Sequence, residues 1–199
     1  MIAVLDYGIG NLRSAQKALE KAGADAVLVT DAGRARGAAG VVLPGVGAFG
    51  RCMEALRDTG LDRVALDAVA AGTPFLGICV GMQMLYGSSH ESPGVDGLGL
   101  LDGEVVLLAG DVKRPQMQWN VLHPTRESAL LDGLGPDPWV YFVHSYAPTI
   151  TDDVVATCDY GGPVVAAVER GPLWATQFHP EKSGPVGARV LANFAKACA

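Results

Sequence analysis

Four runs of residues in the N-terminal half of this 199-residue chain, Ile2–Tyr7, Ala26–Thr30, Gly40–Leu43 and Pro74–Cys79, are largely continuous in apolar character rather than alternating. A strand that meets water on one face alternates apolar and polar residues, whereas one buried on both faces does not. Between the runs lie segments with helical spacing. In Asn11–Ala22 the residues Leu12, Ala15, Ala18, Leu19 and Ala22 share one face, and Gly23 supplies the C-terminal stop. Phe49–Arg57 and Leu61–Ala71 repeat the pattern and stop at Gly60 and Gly72. This alternation predicts a parallel sheet covered by helices on both faces.

The C-terminal half changes character. Gly103–Leu108, Trp139–Tyr146, Val154–Tyr160, Val164–Glu169 and Leu173–Phe178 are strand-like, with turn signals at Gly161-Gly162-Pro163 and Arg170-Gly171-Pro172. These predict hairpins, followed by a last helix over Val186–Ala197. The small-residue stretch Ala32–Gly40 reads as a loop or a weak helix. There is no internal repeat. The expectation is one α/β domain over residues 1–199 with an antiparallel extension, and an apolar content of 49% is enough for a substantial core.

Charge and hydropathy narrow the function classes. The net charge is −6 and the basic residues are scattered, so nucleic acid is not expected as a substrate. Met1-Ile2-Ala3-Val4-Leu5 reaches Asp6 without a basic leader or a long apolar stretch, unlike a signal peptide. No apolar run approaches bilayer-spanning length. A soluble cytoplasmic protein with no membrane partner is expected. Cys52, Cys79, Cys158 and Cys198 show no CxxC or Cys/His ligand spacing, so free thiols are expected and no metal.

Cys79 stands apart from the other three. Gly77-Ile78-Cys79-Val80-Gly81 closes a buried run with a glycine two residues to either side. That is the form of a sharp strand-to-helix elbow, which lifts its central residue above the sheet and leaves no room for side chains at the flanking positions. A helix beginning near Val80 would favour the ionised thiol and offer free N–H groups to an oxyanion. By itself the pattern also fits tight strand–helix packing around an incidental cysteine. Of the histidines, His179 follows the last strand in Thr176-Gln177-Phe178-His179-Pro180-Glu181. On an extended chain residues two apart point the same way, which would set Glu181 beside the His179 ring. A lone His-Pro-Glu is more commonly an ordinary strand-end loop. Beside a cysteine elbow it is a candidate base and its orienting carboxylate.

With both stretches in hand, the chain resembles the class I (triad) glutamine amidotransferases, and most closely the glutaminase subunits of imidazole glycerol phosphate synthases. The narrower resemblance is carried by Asp6-Tyr7-Gly8-Ile9-Gly10-Asn11-Leu12, Leu43-Pro44-Gly45-Val46-Gly47-Ala48-Phe49, Gly97-Leu98-Gly99-Leu100, Trp119-Asn120 and Tyr141-Phe142-Val143-His144-Ser145-Tyr146. These stretches run nearly the whole chain in one order. One departure is Gln118, where the family usually has glycine before the Trp-Asn pair.

The resemblance implies a flavodoxin-like α/β sheet and a triad of Cys79, His179 and Glu181 that splits glutamine into glutamate and ammonia. It implies an oxyanion hole from the N–H of Val80 and one from Val46 or Gly47, a segment that rearranges in the family. Gln83, Glu91, His144, Ser145 and Tyr146 would line the glutamine site, with Glu91 suited to the substrate ammonium. No cofactor is implied. The partner would be a (β/α)8 barrel cyclase that uses the ammonia in histidine synthesis, forming a heterodimer. Asn11, Trp119, Asn120, Tyr141 and Lys182 are the candidates for the face that meets it. Nothing in the chain looks able to use ammonia itself, since Tyr7–Leu12 has neither a third phosphate-binding glycine nor a Walker lysine. Rival readings are a glutaminase for another synthase, a non-catalytic flavodoxin-like module, and a cysteine peptidase or esterase.

Overall fold

A computed structural model describes all residues, Met1–Ala199. The central sheet has eight strands in the order β2-β1-β3-β4-β12-β11-β10-β7. Its parallel part comprises β1 (Ile2–Leu5), β2 (Ala26–Val29), β3 (Gly40–Gly45), β4 (Phe75–Cys79) and β12 (Leu173–Thr176). The antiparallel flank is β11 (Pro163–Arg170), β10 (Val154–Asp159) and the short β7 (His123–Pro124). Hairpins fall at the expected turns, and β12 then returns to the parallel set beside β4.

The helices are α1 (Leu12–Lys21), α2 (Ala32–Ala35), α3 (Phe49–Asp58), α4 (Leu61–Ala70), α5 (Val80–Gln83) and α6 (Gly184–Ala197). The chain moves from β1 to β2 in one direction across the sheet and from β3 to β4 in the other. Right-handed crossovers then place α1 and α3–α4 on opposite faces. Consistent with this, α1 packs against α6, while α4 packs against α2 and α3. The predicted loop or weak helix at Ala32–Gly40 is a single helical turn, opened by Asp31 accepting from the Arg34 N–H at 3.1 Å.

The C-terminal half departs from the sequence reading in its strand pairing. Trp139–Tyr146 is not one strand but β8 (Trp139–His144) and β9 (Tyr146–Pro148), broken at Ser145 because they join different partners. β9 pairs with β5 (Val105–Leu107), and β8 pairs with β6 (Gln116–Val121), a strand the sequence reading missed. The large apolar residues of β6 are turned outward. Met117 and Trp119 are 61% and 48% exposed, whereas Gln116 between sheet and ribbon is fully buried. Gln118 sits in this strand opposite Phe142 without a left-handed backbone, so nothing in the backbone there demands glycine.

The sheet order reverses between β1 and β3, and ligands in such sheets bind beyond the carboxyl ends of the strands at that point. The adjacent parallel strands β1, β3, β4 and β12 therefore deliver Tyr7–Asn11, Gly45–Gly47, Cys79 and Gln177–His179 to one edge.

Candidate active site

Cys79 ends β4 and caps α5 with φ 55° and ψ −113°, and it is the only non-glycine residue in the chain with a positive φ. The two flanking glycines are there for space. A Cβ on Gly77 would lie 3.0 Å from the backbone of Gly81 and Met82, and one on Gly81 would run into the Leu43 carbonyl oxygen of β3. The elbow is thus wedged against the neighbouring strand. Strain of this kind costs roughly 1–3 kcal/mol and persists only where the surroundings enforce it.

The segment after β3 forms the adjoining wall. Gly45 is required by close approach, since a Cβ there would lie 2.7 Å from the Gly81 nitrogen and 3.0 Å from Tyr7 Oη. Gly47 instead uses a positive φ of 89°. Tyr7 Oη donates to the Pro44 carbonyl at 2.7 Å, and Cys52 Sγ donates to the Val46 carbonyl at 3.2 Å. Burial pushes both of these groups' pKa values upward, which keeps them protonated as donors. The Val46 N–H between the two tethered carbonyls makes no hydrogen bond within the chain. Neither Tyr7 nor Cys52 was singled out by the sequence reading, because an ordinary core position looks the same in one dimension.

His179 and Glu181 meet as expected but by a different route. Glu181 does not continue an extended strand: Pro180–Lys182 is a 3₁₀ turn, which curls the carboxylate back under the ring. His179 Nδ1 and Glu181 Oε1 are 2.8 Å apart, with both side chains 2% exposed. Asn11 Nδ2 donates to the same oxygen at 3.3 Å. Main-chain bonds hold the turn. His179 N–H donates to the Tyr141 carbonyl at 3.0 Å, and Ser183 Oγ both accepts from the Tyr141 N–H at 3.0 Å and donates to the His179 carbonyl at 2.6 Å. His179 Nε2 is buried without a hydrogen-bond partner. Burial alone would lower the His179 pKa, but Cys79 and Glu181 beside the ring outweigh it and hold it at about 9.

His144 is the opposite case. Burial lowers its pKa to about 4, partly offset by its bond to the Tyr146 carbonyl. Nδ1 lies 2.9 Å from that carbonyl, which can only accept, so Nδ1 carries the proton and the ring is neutral.

A cavity of about 470 Å³ opens beside Cys79, lined by Gly10, Asn11, Val46, Gly47, Val80, Gln83, Glu91, Val143, His144, Ser145, Tyr146, His179 and Lys182 as well. Every expected glutamine-site residue is among them. Glu91 also supports the local fold. Its Oε2 accepts from the Phe49 N–H at 2.7 Å and Ser92 Oγ from the Gly50 N–H at 3.0 Å, so this loop caps the N-terminus of α3. Of the residues expected on a partner face, Asn11 and Lys182 are at the cavity. Trp119 and Tyr141 pack edge to face on the β6–β8 ribbon, with ring centroids 6.1 Å apart. Asn120 Nδ2 donates to the Asp159 carbonyl at 2.8 Å, tying that ribbon to β10. A larger cleft of about 1110 Å³, between residues 124–133 and α6, contains no cysteine or histidine.

The sequence profile of the class-I glutamine amidotransferases matches residues 3–198. The chain belongs to this family. Relatives of this glutamine amidotransferase include the imidazole glycerol phosphate synthase subunit HisH of Deinococcus radiodurans, 50% identical over 197 residues, covering 97% of this chain and 92% of that protein. The subunit of the same name from Mycolicibacterium paratuberculosis is 50% identical over 198 residues, covering 97% and 96%. Among solved structures, a glutamine amidotransferase crystal structure superposes with a TM-score of 0.79 at 22% identity, covering 99% of this chain and 98% of that one. PurLQS from Thermotoga maritima superposes with a TM-score of 0.77 at 21% identity, covering 97% and 96%, and at these identities the likeness is one of fold.

Proposed function

We propose that this amidotransferase hydrolyses glutamine through Cys79, His179 and Glu181 and passes the ammonia to a (β/α)8 barrel cyclase. Together the two would form an imidazole glycerol phosphate synthase of cytoplasmic histidine biosynthesis, making imidazole glycerol phosphate and an aminoimidazole carboxamide ribotide. The observation that carries the reading is His179: Nδ1 is engaged by Glu181, while Nε2 is left unpartnered beside Cys79 at the wall of a cavity sized for a small molecule. The names of the relatives support the choice of synthase.

In this mechanism the Cys79 sulfur attacks the side-chain carbonyl carbon of glutamine. The oxyanion forms against the Val80 N–H at the start of α5 and a second donor from Val46 or Gly47. His179, protonated and held by Glu181, gives its proton to the departing nitrogen, so neutral ammonia leaves and a glutamyl thioester remains. His179 then takes a proton from water as its oxygen attacks the thioester, releasing glutamate and the thiolate. Gln83, Glu91, His144, Ser145 and Tyr146 would hold the substrate, with Glu91 facing its ammonium group.

The exposed apolar side of the β6–β8 ribbon suits a partner, with Trp119 and Tyr141 beside Met117 and Trp139. Asn120 would support this face, and Lys182 and Asn11 would meet the partner at the mouth. Partner and nucleotide binding would turn the Val46 N–H toward the oxyanion. Removing one such donor typically costs about 10²–10³ in rate, so the isolated chain would be a poor glutaminase. Glutamate release, measured with and without the barrel subunit and its nucleotide ligand, tests this. Strong release only in the complex, abolished by Cys79→Ala, is expected. Brisk release by the chain alone would overturn both the gating and this assignment of partner.

A further inference from the structure

The Tyr146 main-chain carbonyl accepts from Gln83 Nε2 at 2.9 Å, in addition to its bond with His144. A carbonyl cannot donate, so the end of the Gln83 amide that faces it is the NH₂ group. That same NH₂ donates to Gln177 Oε1 at 3.0 Å. The oxygen of Gln177 is therefore turned toward Gln83, and its NH₂ is directed at Cys79 Sγ, 3.7 Å away. Gln177 is 0% exposed and Gln83 3%, which leaves bulk water little access to these bonds. Orientation thus passes from one fixed carbonyl through two amides to the sulfur.

We infer that Gln177 is a catalytic residue whose side-chain amide stabilises the sulfur anion of Cys79, and that Gln83 is the positioning residue that keeps the amide aimed that way. The inference rests on Cys79 being the nucleophile. The titratable groups around the sulfur are His179, Tyr7 and Cys52, and burial keeps the last two protonated. His179 must surrender its proton during the reaction. An amide has none to give at these pH values, so its donation to the sulfur is constant through the cycle. Hydrogen bonds to charged groups are stronger than neutral ones, and in a water-excluded site they are weakened little by competition. The sequence contained Gln177 within the histidine motif but offered no reason to separate it from a core strand residue.

The test is the rate of Cys79 alkylation by iodoacetamide, followed by mass spectrometry on the full chain, at pH 7 and at pH 10. Gln177→Met keeps the length and burial of the side chain without the donor. It should slow alkylation at pH 7 by roughly tenfold and much less at pH 10, where a thiol ionises unaided. Gln83→Met leaves Gln177 in place but removes, without adding charge, the donor that orients it, and should slow the pH 7 reaction in the same direction. Unchanged rates at pH 7 in either variant, with a native thermal melt, would overturn the inference. If Gln177→Met does not fold, Gln83→Met decides alone. The underlying reading of Cys79 fails separately, through glutamate release that survives Cys79→Ala.

Discussion

Asn11 Nδ2 lies 3.3 Å from Glu181 Oε1, the oxygen that also meets the His179 ring at 2.8 Å. A residue expected to face a partner thus supports the carboxylate proposed to orient His179. Asn11→Ala should lower glutaminase turnover in the isolated chain and in the complex alike, by roughly ten- to a hundredfold for one hydrogen bond to a charged group. A loss confined to the complex would return Asn11 to a purely interfacial role.

The charge on Glu181 should matter more than its shape. Glu181→Gln keeps the volume but removes the carboxylate that stabilises the imidazolium. Triads of this type lose on the order of 10⁴ in rate on such a change. A fall of less than tenfold in glutamate release would show that Glu181 is not the orienting group.

The two buried histidines should give opposite pH dependences of stability. His179 is raised from 6.5 to about 9, so its contribution is full below 6.5 and is lost as pH rises through about 9. His144 is lowered from 6.5 to about 4, so the folded state loses stability as pH falls from 6.5 toward 4. Urea midpoints of the parent, His179→Gln and His144→Gln across pH 4–10 measure both. The first substitution should flatten the alkaline limb and the second the acid limb; an unaltered slope in either would contradict that assignment.

Gly81 and Gly87 separate crowding from open space. A Cβ at Gly81 strikes the Leu43 carbonyl, whereas at Gly87 it meets nothing within 4 Å and the backbone has no positive φ. Gly81→Ala should destabilise toward the upper end of the roughly 1–3 kcal/mol typical of overpacking and remove activity. Gly87→Ala should change stability by less than about 0.5 kcal/mol. Denaturant titration of the pair checks the elbow directly, and equal midpoints would contradict it.

Trp119 and Trp139 stand 48% and 52% exposed on the same ribbon. Replacing both with alanine should leave the thermal melt of the isolated chain within a few degrees and weaken binding of the barrel subunit at least tenfold, the range of aromatic hot spots. Titration calorimetry distinguishes this from a purely structural pair, for which stability would fall and affinity would not.

Much of this protein is local and therefore legible in one dimension. Uninterrupted apolar runs require burial on both faces, so the parallel sheet followed from Ile2–Tyr7, Ala26–Thr30, Gly40–Leu43 and Pro74–Cys79. Glycines at 77 and 81 marked the elbow because they answer a steric demand within five residues, and His179 and Glu181 were found by spacing even though the turn joining them is 3₁₀ rather than extended. What only the tertiary structure decided was long-range: the Tyr7 and Cys52 bonds to the 44–47 segment, Asn11 beneath Glu181, the Gln83–Gln177 relay, and the outward apolar side of β6. Each depends on the direction of a polar group relative to a strand distant in sequence. Hydrophobic periodicity says which side of an element is buried, but a hydrogen bond is set by the partner that the packed fold brings to that side.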